Sequence, residues 1–135
     1  MATQVFINLP VSDLKKSMAF YEAIGFTNNP QFTDDTAACM VLTDTIFVML
    51  LTHDKFKQFI SKSIINAKQS VGVINALSKD SKEEVNAFVE KAVKAGGREY
   101  AEAKDYGFMQ QRSVEDLDGH NWEVFYMDMS KFPQQ

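Results

Sequence analysis

Apolar and polar positions along the chain spell out the same order of elements twice. Residues 4–11 alternate, with Val5, Ile7, Leu9 and Val11 on one face and Phe6, Asn8 and Pro10 on the other, as a strand requires. Ser12 or Asp13 can cap the helix that follows; Leu14, Met18 and Tyr21 share one stripe of it, and Gly25 is a fitting stop. Strands are predicted near 26–32, 36–43 and 46–52, with turns at Asp34-Asp35 and Thr43-Asp44-Thr45. Residues 54–68 read as a connector with a short helix whose buried side is Phe56, Phe59 and Ile60. The scheme then starts again. A strand over 71–78 places Val71, Val73, Asn75 and Leu77 on one face, and a helix over 81–95 packs through Val85, Phe88, Val89, Ala92 and Val93 before Gly96-Gly97. Strands near 98–103, 107–114 and 120–127 complete the second unit, with Trp122, Val124 and Tyr126 on the face opposite Glu123. Asp118-Gly119 is a two-residue hairpin signal, predicting positive φ at both positions.

The implied order is β-α-β-β-β, connector, β-α-β-β-β, an α+β chain built from an internal repeat. Aligning Asp13 with Asp80 sets the offset at 67. Repeated units must bury similar faces, and a ligand is expected between them. With 135 residues the chain is one domain's worth, divided as module one (about 1–53), connector (about 54–69) and module two (about 70–128).

Charge and composition narrow the function classes. A net charge of −4 argues against nucleic acid, which selects basic surfaces, and gives no attraction to an anionic membrane. The longest wholly apolar run, Ile46 to Leu51, is far short of the roughly 20 residues of a spanning helix. The first ten residues lack the basic start and long apolar stretch of a signal peptide. A single cysteine, Cys39, cannot form an internal disulfide, which suits a reducing, cytoplasmic setting. Without a histidine or basic neighbour it reads as a small buried hydrophobe rather than a nucleophile. The chain has no phosphate-binding glycine loop, no Gly-x-Ser-x-Gly, no Cys-x-x-Cys and no paired metal-binding histidines.

The element order, the segment Leu-Pro-Val-Ser-Asp-Leu-Lys-Lys-Ser-Met-Ala-Phe-Tyr-Glu-Ala-Ile-Gly-Phe (9–26) and the segment Asp-Leu-Asp-Gly-His-Asn-Trp-Glu-Val (116–124) together resemble the vicinal oxygen chelate superfamily. This is the group of glyoxalase I, fosfomycin and bleomycin resistance proteins and extradiol dioxygenases. The resemblance covers nearly the whole chain and implies two βαβββ modules whose sheets form a curved mixed sheet with a central cleft, often in a homodimer. In the metal-dependent members it points to, four inward-facing side chains hold a divalent ion, two from each module. The first-strand ligand stands seven residues before the Asp that opens the helix, which lands on Phe6 and Val73 here. The last-strand positions fall on Leu50 and Glu123. Hydrocarbon has no lone pairs for a cation, so three of the four places are incompetent and no metal or other cofactor is expected.

Glu123 is then a lone carboxylate in a cleft shared with Phe6, Leu50, Val73 and Phe125, a candidate general base or partner for a cationic ligand. It reads equally as a relic paired with an arginine or hydroxyl, or simply wet. Asn8 and Asn75, equivalent at the 67-residue offset, offer donors and acceptors to a carbonyl or hydroxyl ligand; they also suit bonds to backbone or water. Arg112, near the cleft mouth by the resemblance, is a candidate for an anionic ligand or an exposed structural arginine. His53 and His120 have no third partner for a metal. Three functions stay open. One is metal-free binding of a small, largely apolar organic molecule, as in the bleomycin-resistance type. Another is a metal-dependent lyase of the lactoylglutathione lyase kind, or an extradiol-type dioxygenase. The last is a non-catalytic structural module.

Overall fold

The computed structural model describes residues 2–133. Its elements run β1 (Val5–Val11), α1 (Leu14–Ala23), β2 (Thr27–Asn29), β3 (Ala37–Val41), β4 (Ile46–Thr52), α2 (His53–Lys57), β5 (Ile74–Lys79), α3 (Lys82–Lys94), β6 (Lys104–Asp105), β7 (Met109–Glu115) and β8 (Asn121–Met127). They form two four-stranded sheets, ordered β1-β4-β3-β2 and β5-β8-β7-β6. In each, the first strand lies parallel to the last and the other pairings are antiparallel. The chain divides into two compact units meeting at Asn66 and Ala67. Each is a βαβββ unit, and the fold is α+β.

The two long helices start and stop by the same chemistry. Asp13 caps α1 by accepting from the Lys16 N–H at 3.1 Å. Ser81 caps α3 by accepting from the Glu84 N–H at 3.1 Å, and the Glu84 carboxylate reaches back to accept from the Ser81 hydroxyl and from the N–H of Asp80, one residue before the cap. Both helices end on a left-handed glycine, Gly25 at φ 112° and Gly96 at φ 109°. The next N–H then closes the last turn, Phe26 onto the Tyr21 carbonyl and Gly97 onto that of Ala92. The cap of the second helix is therefore Ser81 and not Asp80. The true offset between the units is 68 rather than 67, and a one-residue slip turns every strand side chain to the other face.

In the first unit α1 lays Ser17, Phe20, Tyr21 and Ile24 onto Leu9, Val11, Ala38, Met40, Val48 and Leu50, all buried. The Tyr21 ring meets Phe20 and Phe26 edge-on, with centroids 5.2 and 5.3 Å away. Of the expected stripe, Tyr21 is central while Leu14 and Met18 are only half-buried. In the second unit Val85, Phe88, Val89 and Ala92 cover Leu77, Val114, Trp122 and Val124. Val93, turned about 100° from Ala92 on the helix, is exposed.

Other expectations need correction. β5 begins at Ile74, leaving Val71 and Val73 ahead of it and exposed. Residues 98–103 form no strand, only the single bridge of Arg98 to Glu115. In the connector α2 is one short turn, and Phe59 and Ile60 are exposed rather than buried. The β7–β8 turn is not the two-residue kind, because no residue other than glycine has positive φ among the described residues. Gly119 alone does, at 92°, with its N–H on the Asp116 carbonyl, while the buried Asp116 carboxylate accepts from the Asp118 and His120 N–H groups. A Cβ at Gly119 would sit 2.8 Å from the backbone nitrogen of Lys68, so the start of the second unit lies directly on this turn. Among the described residues no helix is long and apolar enough to cross a membrane.

Candidate ligand-binding faces

Residues in register on neighbouring strands point to the same side of a sheet. Pairing therefore sorts the candidate side chains into those under a helix and those on the opposite, open face.

In the first unit Ile7, Leu9 and Val11 register with Val48, Leu50 and Thr52 on the helix side. Phe6, Asn8 and Pro10 register with Phe47, Met49 and Leu51 on the other side, which is open at Phe6, Asn8, Phe47 and Met49 while Pro10 and Leu51 are buried. Phe6 stacks flat on Phe47, centroids 4.5 Å apart and rings 10° from parallel, yet remains 47% exposed. Asn8 is exposed, and its side-chain amide donates to the Phe6 carbonyl at 3.1 Å. Cys39 registers with Met49 and is buried, which pushes its thiol above the ordinary range and leaves it unreactive.

In the second unit Asn75, Leu77 and Lys79 register with Trp122, Val124 and Tyr126 on the helix side. Ile74, Ala76 and Ser78 register with Asn121, Glu123 and Phe125 on the open side. Glu123 lies mid-strand in β8, between Ala76 of β5 and Ser113 of β7, with Asn121 and Phe125 two residues away on the same face. It is half-buried. Among the described residues its carboxylate has no hydrogen bond or ion pair.

The structure thus brings Phe6 together with Asn8, and Glu123 together with Phe125. It separates the rest. Leu50 is 0% exposed beneath α1 and shares no face with Phe6. Asn75 sits on the α3 side beside Trp122, so the expected pairing with Asn8 does not hold. Val73 precedes β5 and is 66% exposed. The physical reason in the second unit is the offset of 68, which puts Ile74 and Ala76 in the places of Phe6 and Asn8. Since Asn8 registers with Met49 and Ala76 with Glu123, Met49 rather than Leu50 holds the place of Glu123 in the first unit. Phe47 and Ala76 are open-face residues that nothing in the sequence singled out. The Ser81-x-x-Glu84 spacing was the signal for the correct offset.

Arg112 also lies on the helix side, in register with Val124. Its Nε and Nη2 donate to the two oxygens of Glu99 at 2.9 and 2.8 Å, and Nη1 donates to Asn86 Oδ1 at 3.0 Å. A cavity of about 150 Å³ opens beside it, lined also by Lys82, Asp105 and Gln110, but the charge of Arg112 is already matched by Glu99. This fork ties α3, the following loop and β7 together. It also holds the Glu99 carboxyl below the usual carboxylate range, chiefly through the hydrogen bonds from Arg112. Arg112→Ala is expected to destabilise the protein by about 1–3 kcal/mol. The sign of the pH effect follows from the depressed folded value. The pair contributes fully above the ordinary glutamate range of about 4.3, and its contribution is lost as pH falls through the lower folded value. Urea unfolding of both proteins at neutral and acid pH checks this, because the gap between them should narrow on acidification.

The residues at the implied metal positions do not fit a divalent ion. Phe6, Ile74 or Val73, and Met49 or Leu50 supply no oxygen, imidazole or thiolate, leaving Glu123 as a single hard donor. Among the described residues no group of three or more His, Cys, Asp or Glu is placed to hold a metal ion.

Comparison with known proteins points the same way as the topology. Residues 3–42 match the family described as bleomycin resistance protein-like N-terminal. A hypothetical protein from S. aureus has the same fold with a TM-score of 0.78 and 29% identity, covering 93% of this chain and 95% of that one. A glyoxalase/bleomycin resistance protein/dioxygenase family enzyme from Burkholderia phytofirmans PsJN gives 0.76 at 17% identity, over 93% and 99% of the two chains. A genomically encoded fosfomycin resistance protein, FosX, from Listeria monocytogenes gives 0.69 at 17%, over 97% and 98%. No curated protein matches. The match over residues 3–42 and the fold shared along nearly the whole chain make this chain similar to the bleomycin-resistance and glyoxalase proteins.

Proposed function

We propose that this glyoxalase/bleomycin-resistance-like protein binds a small, largely apolar organic molecule on the open sheet faces, without a metal ion. The observation that carries this reading is the make-up of those faces. They present Phe6, Phe47 and Met49 in one unit and Ile74, Ala76 and Phe125 in the other, with Glu123 at mid-strand a charge without a partner among the described residues. Such surfaces gain by covering apolar area and offer few polar anchors, the usual character of a small-molecule site. A cytoplasmic setting and a homodimer belong to the same reading. The alternative is a metal-dependent lyase or dioxygenase, favoured by the names of the structural neighbours and by the survival of Glu123 alone among the ligand positions.

Metal removal separates the two. Thermal melting is expected to be unchanged by chelator and by added Ni, Zn, Mn or Fe, whereas a metal present at a hundred times its dissociation constant would add about 2.7 kcal/mol of stability. A library of small aromatic and aliphatic compounds should instead contain members that raise the melting temperature. Near-stoichiometric metal in the purified protein, lost in Glu123→Ala, would overturn the proposal in favour of the metalloenzyme.

A further inference from the structure

Resting on that reading, we infer that the molecule held on the second unit's open face is an organic cation, an apolar body carrying an ammonium or similar group that pairs with Glu123. A carboxylate taken partly out of water keeps its charge at a cost unless something compensates it, and native proteins almost always supply a partner. The other half-buried glutamates of this unit have theirs. Glu99 is gripped by Arg112 at 2.8 Å and Glu115 by Arg98 at 2.9 Å. Glu123 has none among the described residues, although β8 places it mid-sheet, where neighbouring strands lie on both sides.

Its surroundings explain why no described residue of the unit fills the role. The registered neighbours are a methyl group, Ala76, and a buried hydroxyl, Ser113; along the strand stand Asn121 and Phe125. Among the described residues the cations in register on this face are Lys104, at the far edge strand β6 opposite Gln111, and Arg98, opposite Glu115. Arg98 is committed to Glu115 and Arg112 faces α3. The small side chain of Ala76 and the exposed Ile74 and Ser78 leave β5 open above the carboxylate. Phe125, half-buried on the same face, offers an apolar and cation-attracting ring to the rest of the ligand. A neutral apolar molecule would cover the face but would desolvate Glu123 further with nothing in return. An anion would be repelled. A cation of the same shape removes the cost.

Three probes of one shape and three charges test this: phenethylamine, phenethyl alcohol and hydrocinnamate, titrated at neutral pH while the backbone amides of β5, β7 and β8 are followed by NMR. The amine should bind at least about tenfold more tightly than the alcohol, the scale of one hydrogen bond to a charged group, and hydrocinnamate most weakly. Glu123→Gln, shown by its melting temperature to fold normally, should bring the amine down to the alcohol, while Glu123→Asp should keep the preference. Equal binding of amine and alcohol, or a preference that survives Glu123→Gln, overturns the cation assignment and leaves the proposed function standing. If none of the three binds, both are overturned.

Discussion

Leu50→Ala is expected to lower the free energy of unfolding by about 2–5 kcal/mol, the range for removing a fully buried leucine and leaving a cavity. Met49→Ala, one residue earlier on the same strand, should cost less than half as much. The contrast comes from register alone. Leu50 stands beside Leu9 and Ala38 beneath α1 with no exposed surface, whereas Met49 stands beside Asn8 and Cys39 on the open face and is only half-buried. The site under α1 is walled by residues that are themselves completely packed, among them Val48, Met40 and Tyr21, so it has little room to collapse around the missing atoms. Urea denaturation of the two variants decides the matter. A costlier Met49→Ala would mean that the faces of β4 are the reverse of those described.

Trp122→Ala is expected to be at least as damaging, at about 3–5 kcal/mol. Trp122 is the largest fully buried side chain of the second unit, at 1% exposure, wedged between Val114 of β7 and Asn75 of β5 under α3. Its neighbour Glu123 points the other way. Glu123→Gln removes a charge that no described residue partners, and stability should stay within about 0.5 kcal/mol of the parent. Taken together the two substitutions separate what folds the unit from what its open face can hold. A large loss of stability in Glu123→Gln would show that the carboxylate has a structural partner and would remove it as a ligand group.

The architecture was legible because it rests on signals that survive small errors. Val85, Phe88, Val89 and Ala92 repeat at helical spacing over a long run, and all four are buried as expected. Gly25 and Gly96 stop their helices because left-handed backbone favours glycine. The candidate site was less legible because it depends on which side of a strand a residue faces, and that alternates with every residue. Asp80 and Ser81 can both cap the helix by type, and a cap at Asp80 displaces the second unit by one position and turns Asn75 to the open face, whereas the sheet holds it against Trp122. Leu50 failed for a related reason: β4 is apolar on both faces from Ile46 to Leu51, so composition contains no hint of parity and only the pairing with β1 supplies it. For Arg112 the sequence left an anion-binding and a structural reading open, because the loop carrying Glu99 folds back over it, a contact between residues too far apart in sequence for local pattern to reveal.

The parallel pairing of first and last strands also fixes an order of events in the life of the chain. Val5 pairs with Ile46, and Ile74 with Asn121, each some forty or more residues further on. The antiparallel partners β3 and β4, or β7 and β8, are joined by short turns and can meet as soon as both exist. β1 and β5 cannot enter a sheet until the last strand of their unit has been made, so the costliest loop closures fall to them. On the ribosome the segment synthesised first in each unit is thus the last to be locked in. Until then Phe6 and Ile74, each half exposed even in the finished fold, have no sheet to lie on.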